Sequence, residues 1–138
     1  MRREWEPEDL VASWINVQPE LEAVGSPREQ VEQLLTHLTQ VMAGSQLAAC
    51  VPALIEAAER DATVRDLYHR YSTQRRQPLR DAIARGISQG TFPAHVAPDL
   101  AAQALAGTIF YRRLLTHTPF TPQEVPQLVM TVLGPRRR

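Results

Sequence analysis

Few residue patterns in this sequence could support catalysis. Asp66-Leu67-Tyr68-His69 has the carboxylate-x-x-histidine spacing of helical di-iron sites, but such a site needs a second copy, and the sequence has none. Cys50 is the single cysteine, which excludes a disulfide and a cysteine zinc site. A Cys50 nucleophile is conceivable, yet a small buried hydrophobic side chain is the commoner role. Motifs of zinc proteases, serine hydrolases and phosphate loops are missing. The sequence therefore predicts no enzyme, metal or cofactor.

Two tyrosines, Tyr68 and Tyr71, favour binding over catalysis. They lie three positions apart, on one side of a predicted helix. A cavity with mostly apolar walls and a few placed hydroxyl groups is typical of small-molecule sites. The alternative is ordinary core, which is the better interpretation for any one of these residues alone. The candidate pocket residues are Leu38, Met42, Leu54, Ile55, Tyr68, Tyr71, Leu105 and Thr108.

Charge is distributed unevenly along the chain. Residues 1–69 hold five Arg and twelve Asp or Glu, whereas residues 70–138 hold ten Arg and three Asp or Glu. We expect the two halves to attract within the fold, in preference to a nucleic-acid surface, because the whole chain has no net charge. Arg70, Arg75, Arg76 and Arg80 follow one predicted helix. They could hold an anionic effector, a carboxylate or DNA phosphate, but a solvated face is the preferred interpretation.

The elements that must position these residues are all helical. Apolar residues recur at steps of three and four, and no segment alternates apolar and polar residues as a strand does. Ser26 and Thr121 are predicted caps, and Gly44 predicts a helix end. Pro52 predicts either a kink or the true start of its helix, and Pro78 predicts a bend. These signals predict an all-α domain of six helices, at about 7–18, 27–44, 46–58, 62–88, 98–115 and 121–133.

The segment 98–115 is apolar on nearly every side, so we expect it to be buried. A chain of 138 residues has few other helices to cover it, which predicts a second copy of the chain as the cover. Arg112 and Arg113 would meet the negative end of its dipole, and one of them could pair across the subunit interface. The predicted interface residues are Leu100, Ala101, Ala104, Ile109, Arg112, Val125, Leu128, Val129 and Val132.

The order and punctuation of these helices resemble a known family. Residues 2–11 resemble the end of a recognition helix and the start of a short acidic helix. Residues 79–86 and 90–92 resemble the end of a long helix, with an Arg-Gly pair near its C-terminus, and the loop that follows it. Residues 99–115 and 121–133 resemble two dimerisation helices. The family is that of the tetracycline repressor (TetR) transcription factors, and the resemblance covers nearly the whole chain.

The resemblance implies a regulatory domain that binds a small apolar or aromatic effector among its central helices. It also implies a homodimer whose last two helices form a four-helix bundle with their mates. Residues 1–5 would be a remnant of the recognition helix, 6–134 the effector-binding and dimerisation domain, and 135–138 a basic tail. Met1 would fall inside the recognition helix, so either the gene product starts further upstream or the DNA reader has been lost.

Two functions remain open from the sequence. In the first, ligand binding shifts a connecting helix near residues 7–15 and so controls operator binding by a helix-turn-helix that is missing from this chain. In the second, the chain is a stand-alone helical dimerisation module that binds neither DNA nor a small molecule. We expect a cytoplasmic location, because no apolar run is long enough to span a membrane and no secretory signal follows Met1.

Overall fold

The computed structural model describes residues 25–136, and within them it contains five α-helices and no strand. The predicted first helix and the segment 1–5 lie outside the described residues. The helices are α1 (Pro27–Gly44), α2 (Gln46–Arg60), α3 (Ala62–Ser88), α4 (Pro98–Tyr111) and α5 (Val125–Leu133). A π-helical turn, Arg112–Thr116, follows α4, and a 3-10 turn, Pro122–Glu124, precedes α5. The all-α prediction is confirmed.

Side-chain caps define where the helices begin. Ser26 Oγ accepts a hydrogen bond from the Glu29 amide at 3.2 Å, and Ser45 Oγ accepts one from the Ala48 amide at 3.1 Å. Asp61 caps α3 in the same way. Each cap satisfies an amide that the first turn of a helix leaves without an internal partner. The predicted starts of α1, α2 and α3 are therefore confirmed.

Two prolines lie within helices. Pro52 is inside α2 and Pro78 inside α3, and both helices continue through them, so Pro52 does not mark the start of α2; the kinks stay predictions. Pro126 falls in the first turn of α5, where a missing amide hydrogen breaks no internal hydrogen bond. The Thr121–Glu124 capping box forms as predicted.

The long helix α3 is the centre of the domain, with α1, α2 and α4 packed against it. Its C-terminal part approaches a loop closely at Gly86, where a Cβ in place of the glycine hydrogen would overlap the ring of Phe92. Phe92 is fully buried, so the absence of a side chain at position 86 lets this ring fill the gap. Two loop amides, those of Thr91 and Phe92, donate to the Gly86 carbonyl and hold the loop against the helix end.

Arg28 links the start of α1 to the end of α5. Its side chain is buried, lies 5.4 Å from the centre of the Phe92 ring, and donates from Nη2 to the Gly134 carbonyl at 2.7 Å. Gly134 ends α5, so the positive guanidinium meets the negative end of that helix dipole. The start of α1 is thereby fixed to the end of α5.

Segment 98–115 buries one face within the chain and exposes another, so its cover by a second copy stays a prediction. Ala101, Ala102, Leu105 and Ile109 pack into the core, but other large apolar side chains remain exposed. The exposed fractions are 67% for Leu100, 57% for Tyr111 and 68% for Leu115.

The residues of the predicted dimer interface differ in their exposure. Ala101, Ile109, Val125, Leu128 and Val129 are buried within this chain. Leu100, Ala104 and Val132 retain exposed surface, and the interface itself stays a prediction.

Arg112 is engaged within its own chain. It forms a two-pronged ion pair with Glu124 at 3.1 and 3.4 Å, donates from Nε to the Thr118 carbonyl, and lies 5.2 Å from the centre of the Phe120 ring. A cross-subunit role for Arg112 is therefore not needed to satisfy its charge.

Within residues 25–136, no individual helix combines the length and the apolar character required to cross a membrane. By length and composition alone, the bent pair Pro27–Gly44 and Ala48–Arg60 meets both requirements.

Candidate functional site

A cavity of about 650 Å³ lies between α1, α3 and α4. Ile55 of α2 and Leu114 of the π-helical turn complete its wall. Its volume falls in the range of small-molecule sites, and its walls are mostly apolar. The lining side chains with apolar character are Leu34, Leu35, Leu38, Val41, Met42, Ile55, Tyr68, Tyr71, Pro78, Leu79, Ala106, Phe110 and Leu114.

The wall supplied by α1 follows the helical period. Leu34, Leu38 and Val41 recur at steps of four and three, so they lie along one face and reach the cavity together. All three are only partly buried, whereas Val31, which also lies on α1, is fully buried and does not line the cavity. The same helix thus contributes one side to the core and another to the cavity.

The wall supplied by α4 creates the empty space. Ala106 and Gly107 stand where larger residues would fill the gap, and a Cβ built on Gly107 would meet nothing within 4 Å. Phe110 and Leu114 continue this wall at steps of four. Small residues flanked by large ones therefore leave a hollow rather than a packed contact.

Two tyrosine rings lie side by side on α3. The centroids of Tyr68 and Tyr71 are 6.4 Å apart, with the ring planes tilted by 50°. Burial raises the pKa of both phenol groups, most strongly that of Tyr71, which is only 8% exposed. The Arg75 guanidinium lies 5.9 Å from the centre of the Tyr71 ring. Both hydroxyls therefore stay protonated at neutral pH.

Charged side chains are unequally distributed around the cavity. Among residues 25–136, it is lined by Arg75, Arg76 and Arg85 and by one acidic residue, Asp81. Arg76 is neutralised by Asp99, since its Nε donates to Asp99 Oδ1 at 2.8 Å.

The carboxylates of Asp99 and Asp81 near the cavity both accept hydrogen bonds from side chains of this chain. The hydrogen bond from Arg76 is the main reason that the pKa of Asp99 lies below its ordinary value, and Gln103 adds a second hydrogen bond. Asp81 accepts from Gln77 Nε2 at 2.8 Å. Neither carboxylate forms an ion pair with Arg75 or Arg85.

Two buried polar atoms of the wall, Arg85 Nη2 and His37 Nε2, have no hydrogen-bond partner among residues 25–136. Arg75 and Arg85 make no ion pair with these residues, although Arg75 hydrogen-bonds the Tyr71 side chain. Desolvation, and then the positive charge of Arg75, lower the pKa of His37. The imidazole is consequently neutral at pH 7, and the wall carries excess positive charge.

The structure places five of the eight predicted pocket residues on the cavity: Leu38, Met42, Ile55, Tyr68 and Tyr71. It does not bring the other three there. Leu54 and Leu105 are fully buried in the core, and the hydroxyl of Thr108 donates back to the Ala104 carbonyl at 2.9 Å. That any of them contacts a ligand stays a prediction.

Sequence reasoning missed several groups in the wall, above all His37, Arg85 and Phe110. His37 follows Leu34 by three positions and precedes Val41 by four, so extending the apolar stripe of α1 would have included it. The arginine series of the sequence contains Arg75 and Arg76, but the pattern alone does not show that Asp99 pairs with the second and not with the first.

The arrangement is suited to binding. Asp66 and His69 are exposed, and in the part of the chain that the structure describes no three His, Cys, Asp or Glu side chains converge as metal ligands would. Cys50 is partly buried and is not among the cavity residues.

The described residues form an all-α domain whose helices surround a mostly apolar cavity of the size of small-molecule sites. Residues 21–132 match the tetracyclin repressor-like, C-terminal domain family. The match spans most of the chain, and the protein therefore belongs to this family. No curated protein and no solved structure matches the chain.

Proposed function

We propose that this chain is the effector-sensing and dimerisation domain of a cytoplasmic TetR-type transcription regulator. The observation that carries the proposal is the cavity of about 650 Å³ between α1, α3 and α4. Domains of this family generally sense ligands and dimerise. An apolar small molecule in the cavity would remove lining surface from water and so stabilise the arrangement that encloses it.

The regulatory step is a shift between two arrangements of the helices. A ligand changes the balance only to the extent that it binds one arrangement more tightly than the other. In the complete regulator, that shift would alter the spacing of two DNA-reading modules relative to the two half-sites of an operator. The elements next to the cavity, α1 and α4, would respond first.

The exposed face of α4 supports the dimer. Leu100, Tyr111 and Leu115 lie 11 and 4 positions apart, which places them along one stripe of the helix and its π-helical extension. Met130 of α5 is also 42% exposed. Exposed apolar patches of this kind mark interaction sites in folded proteins. A second copy of the chain would cover them.

The cavity proposal is tested by filling the hollow. Phenylnaphthylamine, a neutral dye that fluoresces in apolar surroundings, is titrated into the wild type and into Ala106→Phe. We expect the variant to lose binding, because its ring occupies the cavity, and the control Ala53→Phe, which adds a ring at an exposed alanine of α2, to bind as the wild type does. Equal binding by all three proteins would refute the cavity proposal.

The dimer proposal is tested by charge on the outer face. Sedimentation at tens of micromolar should show a dimer for the wild type and a monomer for the double variant Tyr111→Arg, Leu115→Arg. The control Ser88→Arg, exposed on α3, should remain dimeric. A wild type that sediments as a monomer would overturn this part of the proposal. A dimer that binds no dye would favour the stand-alone module.

A further inference from the structure

We propose that the cavity takes an amphipathic anion, with an apolar body against α1 and α4 and its negative group at Arg75 and His37. The inference rests on the proposed function, since it names the chemical class of the effector. It is carried by the charges of the wall, which the cavity volume alone does not predict.

The first step concerns the charge of the wall. Three arginines line the cavity in the described part of the chain, and Arg76 has its counter-charge in Asp99 at 2.8 Å. Arg75 hydrogen-bonds the neutral Tyr71 side chain, and neither Arg75 nor Arg85 forms an ion pair among the described residues, so both charges remain uncompensated there. The acidic lining residue Asp81 is held by Gln77 instead. A positive charge next to apolar walls is poorly solvated, and it attracts an anion more strongly there than it would in water.

The second step concerns the hydrogen-bond partners that are missing. His37 Nε2 and Arg85 Nη2 are shielded from solvent, and neither has a partner in the part of the chain that the structure describes. Buried polar groups are almost always paired, and an unpaired one costs stability. An oxygen acceptor on a ligand could supply a partner to His37, whose neutral imidazole carries one N–H.

The third step fixes where the anion binds. Arg75 is close enough to His37 to lower its pKa, and it lies beside the Tyr71 ring. These groups come from two helices, α1 and α3, that pack against each other and both line the cavity. Arg85 lies ten positions further along α3, so it adds to the positive potential rather than to the same contact. The apolar lining then receives the remainder of the molecule.

The test uses two dyes with one skeleton. Anilinonaphthalene sulfonate is the anionic probe, and phenylnaphthylamine, which lacks the sulfonate, is the neutral probe. We expect the wild type to bind the anionic probe about tenfold more tightly, the gain of a charged hydrogen bond. Only the binding that Ala106→Phe abolishes is assigned to the cavity. Binding that persists in this variant is assigned to the exposed apolar surface of α4.

The matched variants are Arg75→Gln and Arg70→Gln. Both remove one charge from α3, but Arg70 is exposed and does not line the cavity. Arg75→Gln should lower the affinity for the anionic probe about tenfold and change the affinity for the neutral probe less than twofold. Arg70→Gln should change neither affinity. His37→Gln should lower the affinity for the anionic probe by a smaller factor.

The outcomes separate this inference from the proposed function. If the two dyes bind equally, or if Arg70→Gln weakens the anionic probe as much as Arg75→Gln does, the anion proposal is wrong and the cavity stands. If neither dye shows binding that Ala106→Phe removes, both proposals fail. Circular dichroism of each variant checks that it is folded, and decanoate displacing the neutral probe better than decanol would extend the result to carboxylates.

Discussion

Two regions of α3 differ in how they meet their neighbours. At Gly86 the helix is in such close contact with Phe92 that no side chain fits between them. Around Tyr71 and Arg75, near the middle of the helix, α3 borders a cavity of about 650 Å³. The first region is packed like a protein interior, while the second keeps apolar surface that a ligand could cover.

Two arginines, one beside the packed loop and one on the cavity wall, differ in the same way. The buried Arg28 packs on the Phe92 ring and has a carbonyl partner at 2.7 Å. Arg85 directly precedes Gly86 but lines the cavity, and its buried Nη2 has no partner among the described residues. Saturated contacts hold the helices in register at the packed loop, and unsaturated contacts on the cavity wall are available for recognition. The following predictions test this contrast.

The largest effect is expected from truncating leucines in the two settings. Leu105→Ala removes a fully buried side chain from packed core, which should lower the free energy of unfolding by about 2–5 kcal/mol. Leu38→Ala enlarges a hollow that already exists, so we expect a loss of about 1 kcal/mol or less. Urea denaturation measures both. Equal losses would mean that the cavity wall is packed as tightly as the core.

Two helical glycines offer the next contrast. Gly86→Ala forces a methyl group against Phe92 and should destabilise the fold by about 1–3 kcal/mol. Gly107→Ala meets nothing within 4 Å and should stabilise α4 by up to about 1 kcal/mol, because alanine favours the helix. Thermal unfolding gives the sign of each change. A stabilising Gly86→Ala would show that the loop yields easily.

Replacement by Met should affect stability differently at Arg28, beside the packed loop, and at Arg85, on the cavity wall. Arg28→Met removes the hydrogen bond to the Gly134 carbonyl and should cost about 1–3 kcal/mol of unfolding free energy. Arg85→Met removes a guanidinium nitrogen that has no partner among the described residues, and we expect stability within about 0.5 kcal/mol of the wild type, or slightly above it. Denaturant midpoints compare them. A large loss in Arg85→Met would contradict the description of its surroundings.

The smallest effect is expected from His37. Its pKa in the folded state is lowered, so between that value and the ordinary 6.5 the unfolded chain binds a proton that the folded chain does not. Stability from this group is therefore complete above pH 6.5 and declines as the pH falls below it. His37→Gln should flatten the dependence of the urea midpoint on pH between 8 and 5. An unchanged profile would place His37 in a wetter environment.

The sequence predicts the helices well because their ends are set by local chemistry. The pattern places the long helix at 62–88, as in α3, and the caps at Ser26 and Ser45 also agree with the structure. The π-helical turn at Arg112–Thr116 was not predicted, since it accompanies contacts of Arg112 with the distant Glu124 and Phe120.

The candidate site was less predictable for a physical reason. Apolar periodicity identifies the buried face of a helix, but it does not show whether that face meets side chains or an empty space. Leu38 and Leu105 have the same residue type and the same kind of pattern, yet one borders the cavity and the other is core. The difference depends on small residues from another helix, such as Ala106 and Gly107.

Glu124 joins two helices through one carboxylate. It accepts hydrogen bonds from the amide and hydroxyl of Thr121, which cap the turn that starts α5, and it receives both prongs of Arg112 at the end of α4. A rotation of α4 that kept these contacts intact would move α5 in the same direction. A ligand that pushed on Phe110 or Leu114 from the cavity would then displace both helices together, and with them the exposed apolar face proposed for the dimer.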